Sequence, residues 1–157
     1  VLTHGHADHI AGIDALKQHD PDLPVWIARD DANMLTDDML NLSALTGQPL
    51  NLSAADHLFD IGDTIEFASQ SFSVLSTPGH TQGGVSLYCA RENLVFSGDA
   101  LFAGSIGRSD FPGGNHDQLI ESIRTALFAL DDDTTVYPGH GPATTIAREK
   151  QTNPFFQ

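Results

Sequence analysis

The segment His4-Gly5-His6-Ala7-Asp8-His9 puts three imidazoles and a carboxylate into one short stretch. It follows Val1-Leu2-Thr3, which reads as the end of a buried strand, and it precedes a helical pattern. Alternate residues of an extended chain point the same way, so His4 and His6 can face one metal. Asp8 and His9 stand where the chain turns into the helix and can face a second site beside it. Imidazole nitrogens and carboxylate oxygens are ligands that zinc and its neighbours accept. Three later segments share a design: a β-like run ends in glycine, and a ligand-type residue follows. They are Thr77-Pro78-Gly79-His80-Thr81, Phe96-Ser97-Gly98-Asp99 and Tyr137-Pro138-Gly139-His140-Gly141. A lone histidine is more often a packing or surface residue, but four strand-end loops of this kind together point to a metal centre. His19 at a helix end, His57 in a loop and His116 at a helix start have no such setting.

These loops need elements to hold them. Ile10, Ile13, Leu16 and Lys17 follow helical spacing and predict a helix over 10–19. Val25 to Ala28 reads as a short buried strand, and 30–46 as partly helical. Thr64–Phe67, Phe72–Ser76, Val85–Ala90 and Leu94–Ser97 read as strands, with Asp60–Asp63 and Glu92-Asn93 as turns. Residues 99–115 are rich in glycine, have no period, and read as a loop. Leu119, Ile120, Ile123, Leu127 and Leu130 mark an amphipathic helix. Thr134 to Tyr137 is expected as a strand and 143–150 as a last helix. Strands and helices mix without strict alternation, an α+β pattern of sheets covered by helices. With no linker or repeat, residues 1–157 read as one domain. The opening residues read as the end of a strand, so an N-terminal segment is expected to be missing.

The bulk numbers narrow the partners. The chain has 157 residues, a net charge of -14 and only seven lysines and arginines. Such an acidic surface repels phosphate backbones and anionic membranes, so neither nucleic acid nor a membrane is expected as a partner. The single cysteine, Cys89, rules out an intrachain disulfide and reads as a small buried hydrophobe.

The four metal motifs resemble those of the metallo-β-lactamase superfamily. The stretch Leu101 to Gly114, with Gly107-Arg108-Ser109-Asp110-Phe111, and the tail Thr152-Asn153-Pro154-Phe155 are similar to the compact bacterial type of glyoxalase II-like hydroxyacylglutathione hydrolase. The resemblance implies an αββα sandwich, here apparently lacking its N-terminal strands. It implies two divalent cations: zinc first, with iron or manganese as alternatives. His4, His6 and His80 would hold the first, and Asp8, His9 and His140 the second. Asp99 would bridge both, and Asp8 and Asp99 would serve the chemistry as well.

A water acidified between two cations can attack a carbonyl at neutral pH. A thiolate, from a thiol of pKa about 8.5, leaves without a strong acid. The resemblance implies a small anionic thioester such as S-lactoylglutathione as substrate, with Arg108 contacting its anionic part and the reaction in the cytoplasm. Arg108 could equally pair with Asp110 and brace the loop. Two alternatives stand beside this reading. One is an Fe(II) persulfide dioxygenase of the same fold, using His4, His80 and Asp99; relatives of that kind tend to carry Pro-Ala-His where this chain has Pro138-Gly139-His140. The other is an inactive metal-binding domain.

Overall fold

A computed structural model describes residues 1–157. In chain order the elements are α1 (Ala7–Ile10), α2 (Ile13–His19), β1 (Trp26–Ala28), a 3-10 helix (Arg29–Leu35), a second 3-10 helix (Ser43–Thr46), β2 (His57–Phe59), β3 (Thr64–Phe67), β4 (Gln70–Ser76), β5 (Val85–Cys89) and β6 (Leu94–Gly98). There follow β7 (Leu101–Phe102), β8 (Ser105–Ile106), α3 (His116–Ser122), a π-helical turn (Ile123–Leu127), β9 (Thr135–Pro138), β10 (Thr144–Thr145), α4 (Ile146–Thr152) and a final 3-10 turn (Pro154–Phe156).

The expected αββα layering is present. A six-stranded mixed sheet runs β10-β9-β6-β5-β4-β3, and a parallel pair β1-β2 forms the smaller sheet. Only β6–β9 is parallel within the large sheet. Its crossover carries α3, as a parallel connection requires. Alternate residues divide each sheet between two cores. On the outer face of the large sheet, Val95 and Val136 pack with Leu119, Ile123, Leu127 and Ile146 from the helices. Between the sheets lie Ala28, Phe59, Ile65, Val74, Val85 and Leu87. Outside the small pair, Ile27 packs with Ile10, Leu35 and Leu52.

The inner face of the large sheet extends beyond the two short strands that cover it. Ile65, Phe67, Phe72, Leu87 and Phe96 line an apolar trough of 390 Å³ there, together with Val1 and Leu2. No helix is long and apolar enough to cross a membrane.

Several elements differ from the sequence expectation. The helix expected over 10–19 is two helices, parted at Ala11-Gly12, and the first begins at Ala7 so that Asp8 and His9 lie inside it. Its first turn is tight, with His9 N–H donating to the His6 carbonyl at 3.0 Å. The loop expected over 99–115 contains the β7–β8 hairpin. The helix expected to run on to Leu130 widens into a π turn, where Phe128 N–H reaches back to the Ile123 carbonyl. Val1–Thr3 is not a strand, although Leu2 N–H donates to the Trp26 carbonyl at 2.8 Å. The last expected helix, 143–150, is present as α4 but starts later, at Ile146, because Thr144–Thr145 form the short strand β10 before it.

Candidate metal centre

Sheet direction explains why ligands far apart in sequence meet. β4 is antiparallel to β5, and β5 to β6, so β4 and β6 run the same way; β9 is parallel to β6. The C-terminal ends of all three strands therefore open onto one rim. His80, Asp99 and His140 follow those ends. The Pro78-Gly79 turn that presents His80 holds Gly79 at φ 122, where a Cβ would press into the backbone of Leu119. The His4–His9 segment approaches from the other side, with Thr3 C=O accepting from Val85 N–H at 2.9 Å.

The structure brings all seven predicted ligand residues together. Ligand atoms of His4, His6 and His80 form one cluster and those of Asp8, His9 and His140 another, each within 4.8 Å. His6 Nδ1 and His80 Nε2 are 2.8 Å apart. His80 Nδ1–H donates to the Arg108 carbonyl at 2.6 Å, which fixes the tautomer and leaves Nε2 facing the cluster. In the second cluster His140 Nε2 is 3.0 Å from Asp8 Oδ2. Asp99 lies between the two. Its oxygens are 3.2 Å from His9 Nε2, 3.6 Å from His80 Nε2 and 3.5 Å from His140 Nε2.

The donor set passes a direct test for cations. His4 Nε2, His9 Nε2 and Asp99 Oδ1 are buried and make no well-formed hydrogen bond, the last two facing each other at 3.2 Å, and all three belong to this cluster. An unpaired buried polar atom costs on the order of 1–3 kcal/mol, so three together mark a place that a cation fits. Burial, and then the neighbouring imidazoles, hold His4 well below its ordinary pKa. Burial with His80 beside it lowers His6 to about 4, so both rings are neutral and ready to ligate at physiological pH. Burial also lowers His9, but the carboxylates of Asp99 and Asp8 outweigh it and raise the net value. Burial opposes ionisation of Asp99, yet the imidazole of His9, followed by those of His80 and His140, keeps its carboxyl below the ordinary range.

The centre forms the floor of a 430 Å³ cavity walled by Leu42, Thr46, Phe102, Arg108 and Phe111. Arg108 stands at the cavity, but its guanidinium is engaged by Asp110 through two bonds of 2.9 and 2.8 Å, and it lies 3.9 Å over the Phe111 ring. The bracing role and the cavity position therefore coexist. His19, His57 and His116 lie outside the cluster. His57 stacks on Trp26 in the small sheet instead of sitting in a loop. Cys89 is buried, as expected.

Sequence reasoning missed two residues. Asp31 is buried against both ligand loops. Asn41 is also buried; it bonds the carbonyls of Met34 and Leu50 and turns the chain into Leu42, whose φ is 68. Neither carries a local signal, since both lie in the mixed stretch 30–46.

The sequence pattern of the metallo-beta-lactamase superfamily matches residues 1–140. This chain belongs to that superfamily. Among relatives, it is 39% identical over 158 residues to hydroxyacylglutathione hydrolase GloC of Haemophilus influenzae, covering 99% of this chain and 74% of that one. Among solved structures, BLEG-1, described as a B3 metallo-beta-lactamase, superposes with a TM-score of 0.93 at 42% identity, over 98% of this chain and 74% of that one. TTHA1623, in a di-iron-bound form, superposes with a TM-score of 0.81 at 36% identity, over 98% and 74%. The superfamily is one of metal-dependent hydrolases, and the His and Asp clusters fit its divalent cations.

Proposed function

We propose that this chain hydrolyses small thioesters of the S-lactoylglutathione kind with a pair of divalent cations. His4, His6 and His80 would hold one cation and Asp8, His9 and His140 the other, with Asp99 shared. The observation that carries the reading is the convergence of these seven side chains on one cavity floor, with three buried ligand atoms that make no well-formed hydrogen bond. Such a cation pair supplies an acidified water as nucleophile and a Lewis acid for the acyl oxygen. The chain does the rest. Asp8 opens to the cavity and orients the attacking water. The Arg108–Asp110 pair sets one positive and one negative group at the rim; the cation faces the anionic part of the substrate. Leu42, Phe102 and Phe111 exclude water beside the reacting carbonyl. The likeness to GloC supports the glutathione thioester, and with it a cytoplasmic site of action. Zinc is the proposed metal, and the di-iron form of TTHA1623 makes iron its competitor.

Gly139 favours two cations over the single iron of a dioxygenase. A Cβ there would run into the His9 ring, a member of the second cluster that the single-iron set lacks, as well as into Asp99 Oδ1, which both sets share. The likeness to BLEG-1 supports a second reading, cleavage of a β-lactam amide by the same centre. An amine leaves less readily than a thiolate and needs a proton donor, and the cavity offers few.

The deciding experiment measures metal content together with cleavage of S-lactoylglutathione, a β-lactam and, by oxygen uptake, glutathione persulfide. About two cations per chain with thioester cleavage is expected, with Asp99→Ala losing both. Oxygen uptake without thioester cleavage would overturn the reading in favour of the dioxygenase. Bound metal with no turnover would leave the chain a metal-binding domain.

A further inference from the structure

Asp31 is almost wholly buried, at 1% exposure, and no lysine or arginine reaches it. Its Oδ1 accepts from Gly83 N–H at 2.7 Å. Its Oδ2 accepts from the Thr81 hydroxyl at 2.7 Å and from Gly5 N–H at 3.3 Å. A buried carboxylate is costly unless such donors replace its water. The donors come from two different loops. Gly5 separates His4 from His6, and Thr81 directly follows His80. The carboxylate itself sits on the 3-10 helix Arg29–Leu35, which belongs to neither loop.

The packing leaves this arrangement little room. A Cβ on Gly83 would lie 2.6 Å from Asp31 N, and one on Gly5 would lie 2.5 Å from Met34 Cβ on the same 3-10 helix. The helix is therefore pressed against both loops, and Asp31 is the group that bonds them. The alternative, a purely structural carboxylate, predicts a uniform loss of stability. It does not predict a defect confined to one set of ligands.

We propose that Asp31 is the positioning residue of the first cation site, setting the approach of the His4–His6 loop to the His80 loop. The inference rests on the two-cation reading above. Groups that bond ligands directly typically change metal affinity about 10- to 100-fold; Asp31 acts instead on the loop residues beside His4, His6 and His80.

The test uses the full chain, stripped of metal and titrated with Co(II) against a chelator. The absorption of bound cobalt reports the geometry of each equivalent. Asp31→Ala is expected to weaken one of the two cobalt equivalents about 10- to 100-fold and to alter its spectrum, leaving the other near wild type. Asp31→Asn, which keeps the shape but turns one acceptor into a donor, is expected to weaken the same equivalent less. Thr81→Val, which removes a single donor, should weaken it least. Asp30→Asn removes an exposed charge from the same 3-10 helix and should change neither equivalent. If Asp31→Ala fails to fold by circular dichroism, the Asn and Val variants decide. Wild-type uptake of two equivalents, with folded variants matching it in affinity and spectrum, would overturn this inference alone. Equal weakening of both equivalents would overturn it in favour of a structural role. No uptake by the wild type would overturn the two-cation reading, and this inference with it.

Discussion

The two sides of the metal centre are built differently. His80, Asp99 and His140 follow three codirectional strands of one sheet, whose backbone ladder fixes their spacing. His4, His6, Asp8 and His9 come from the segment that leads into α1 and from its first turn, outside the ladder of the large sheet. That segment is anchored bond by bond, through Leu2 to Trp26, Thr3 to Val85, Gly5 to Asp31 and Ala7 to the Asn41 carbonyl at 3.0 Å. One side inherits its precision from the fold, and the other depends on a few named contacts. Damage to the sheet side should therefore register as lost stability with metal kept, and, in the metal-loaded chain, damage to the contacts that hold the His4–His9 segment as lost metal.

The largest effect should come from the sheet side. Leu119→Ala empties a fully buried position in the outer core and should cost about 2–5 kcal/mol in urea unfolding. Metal per folded chain should stay near wild type; a parallel loss of metal would break the comparison.

Acid probes the His4–His9 segment in the metal-free chain, where stability is the only readout. His4 and His6 have pKa values depressed by burial, His6 to about 4 against 6.5 unfolded. A depressed value means the unfolded chain binds more protons, so these groups stabilise the fold above pH 6.5, and that contribution fades as pH falls through 4. The metal-free chain should lose on the order of 3 kcal/mol from His6 alone by the end of that window, measured by urea unfolding at several pH values. A flat profile between these values would contradict the assignment.

Gly139→Ala tests the seam between the sides. The added methyl displaces Asp99 and His9, so about one cation of two should be lost and thioester cleavage should fall about 100-fold. Two cations retained at full activity would remove the argument for the second site.

The smallest effect belongs to the rim. Arg108 and Asp110 are both well exposed, so Arg108→Gln should change stability by less than about 1 kcal/mol. Its mark should be a raised KM for S-lactoylglutathione with kcat nearly kept. A fall in kcat alone would move Arg108 from substrate contact to support of His80, whose ring bonds its carbonyl.

The candidate ligands were legible in sequence because His80, Asp99 and His140 each stand behind a glycine at the end of a β-like run, and His4, His6, Asp8 and His9 crowd one short stretch. The hairpins β3–β6 were legible because their apolar alternation and turn residues are local. What escaped is set by distant contacts. The β7–β8 hairpin looks like a featureless glycine loop until Gly104 N–H meets the buried Glu149 carboxylate at 2.8 Å, from α4. The break at Ala11-Gly12 is invisible to an apolar period that continues across it. Asp31 looks like one more acid among many, and only the fold shows that it is buried.

The uncovered apolar trough on the inner sheet face has a practical consequence. Phe67 and Phe96 there are exposed in residues 1–157. Environment-sensitive dyes bind exposed apolar surface of this kind. A protein of these 157 residues will therefore fluoresce with such a dye before any heating, and a dye-monitored melt of it will start bright and show a shallow transition. Melting followed by far-ultraviolet ellipticity avoids that background, because it reads the backbone and not the trough.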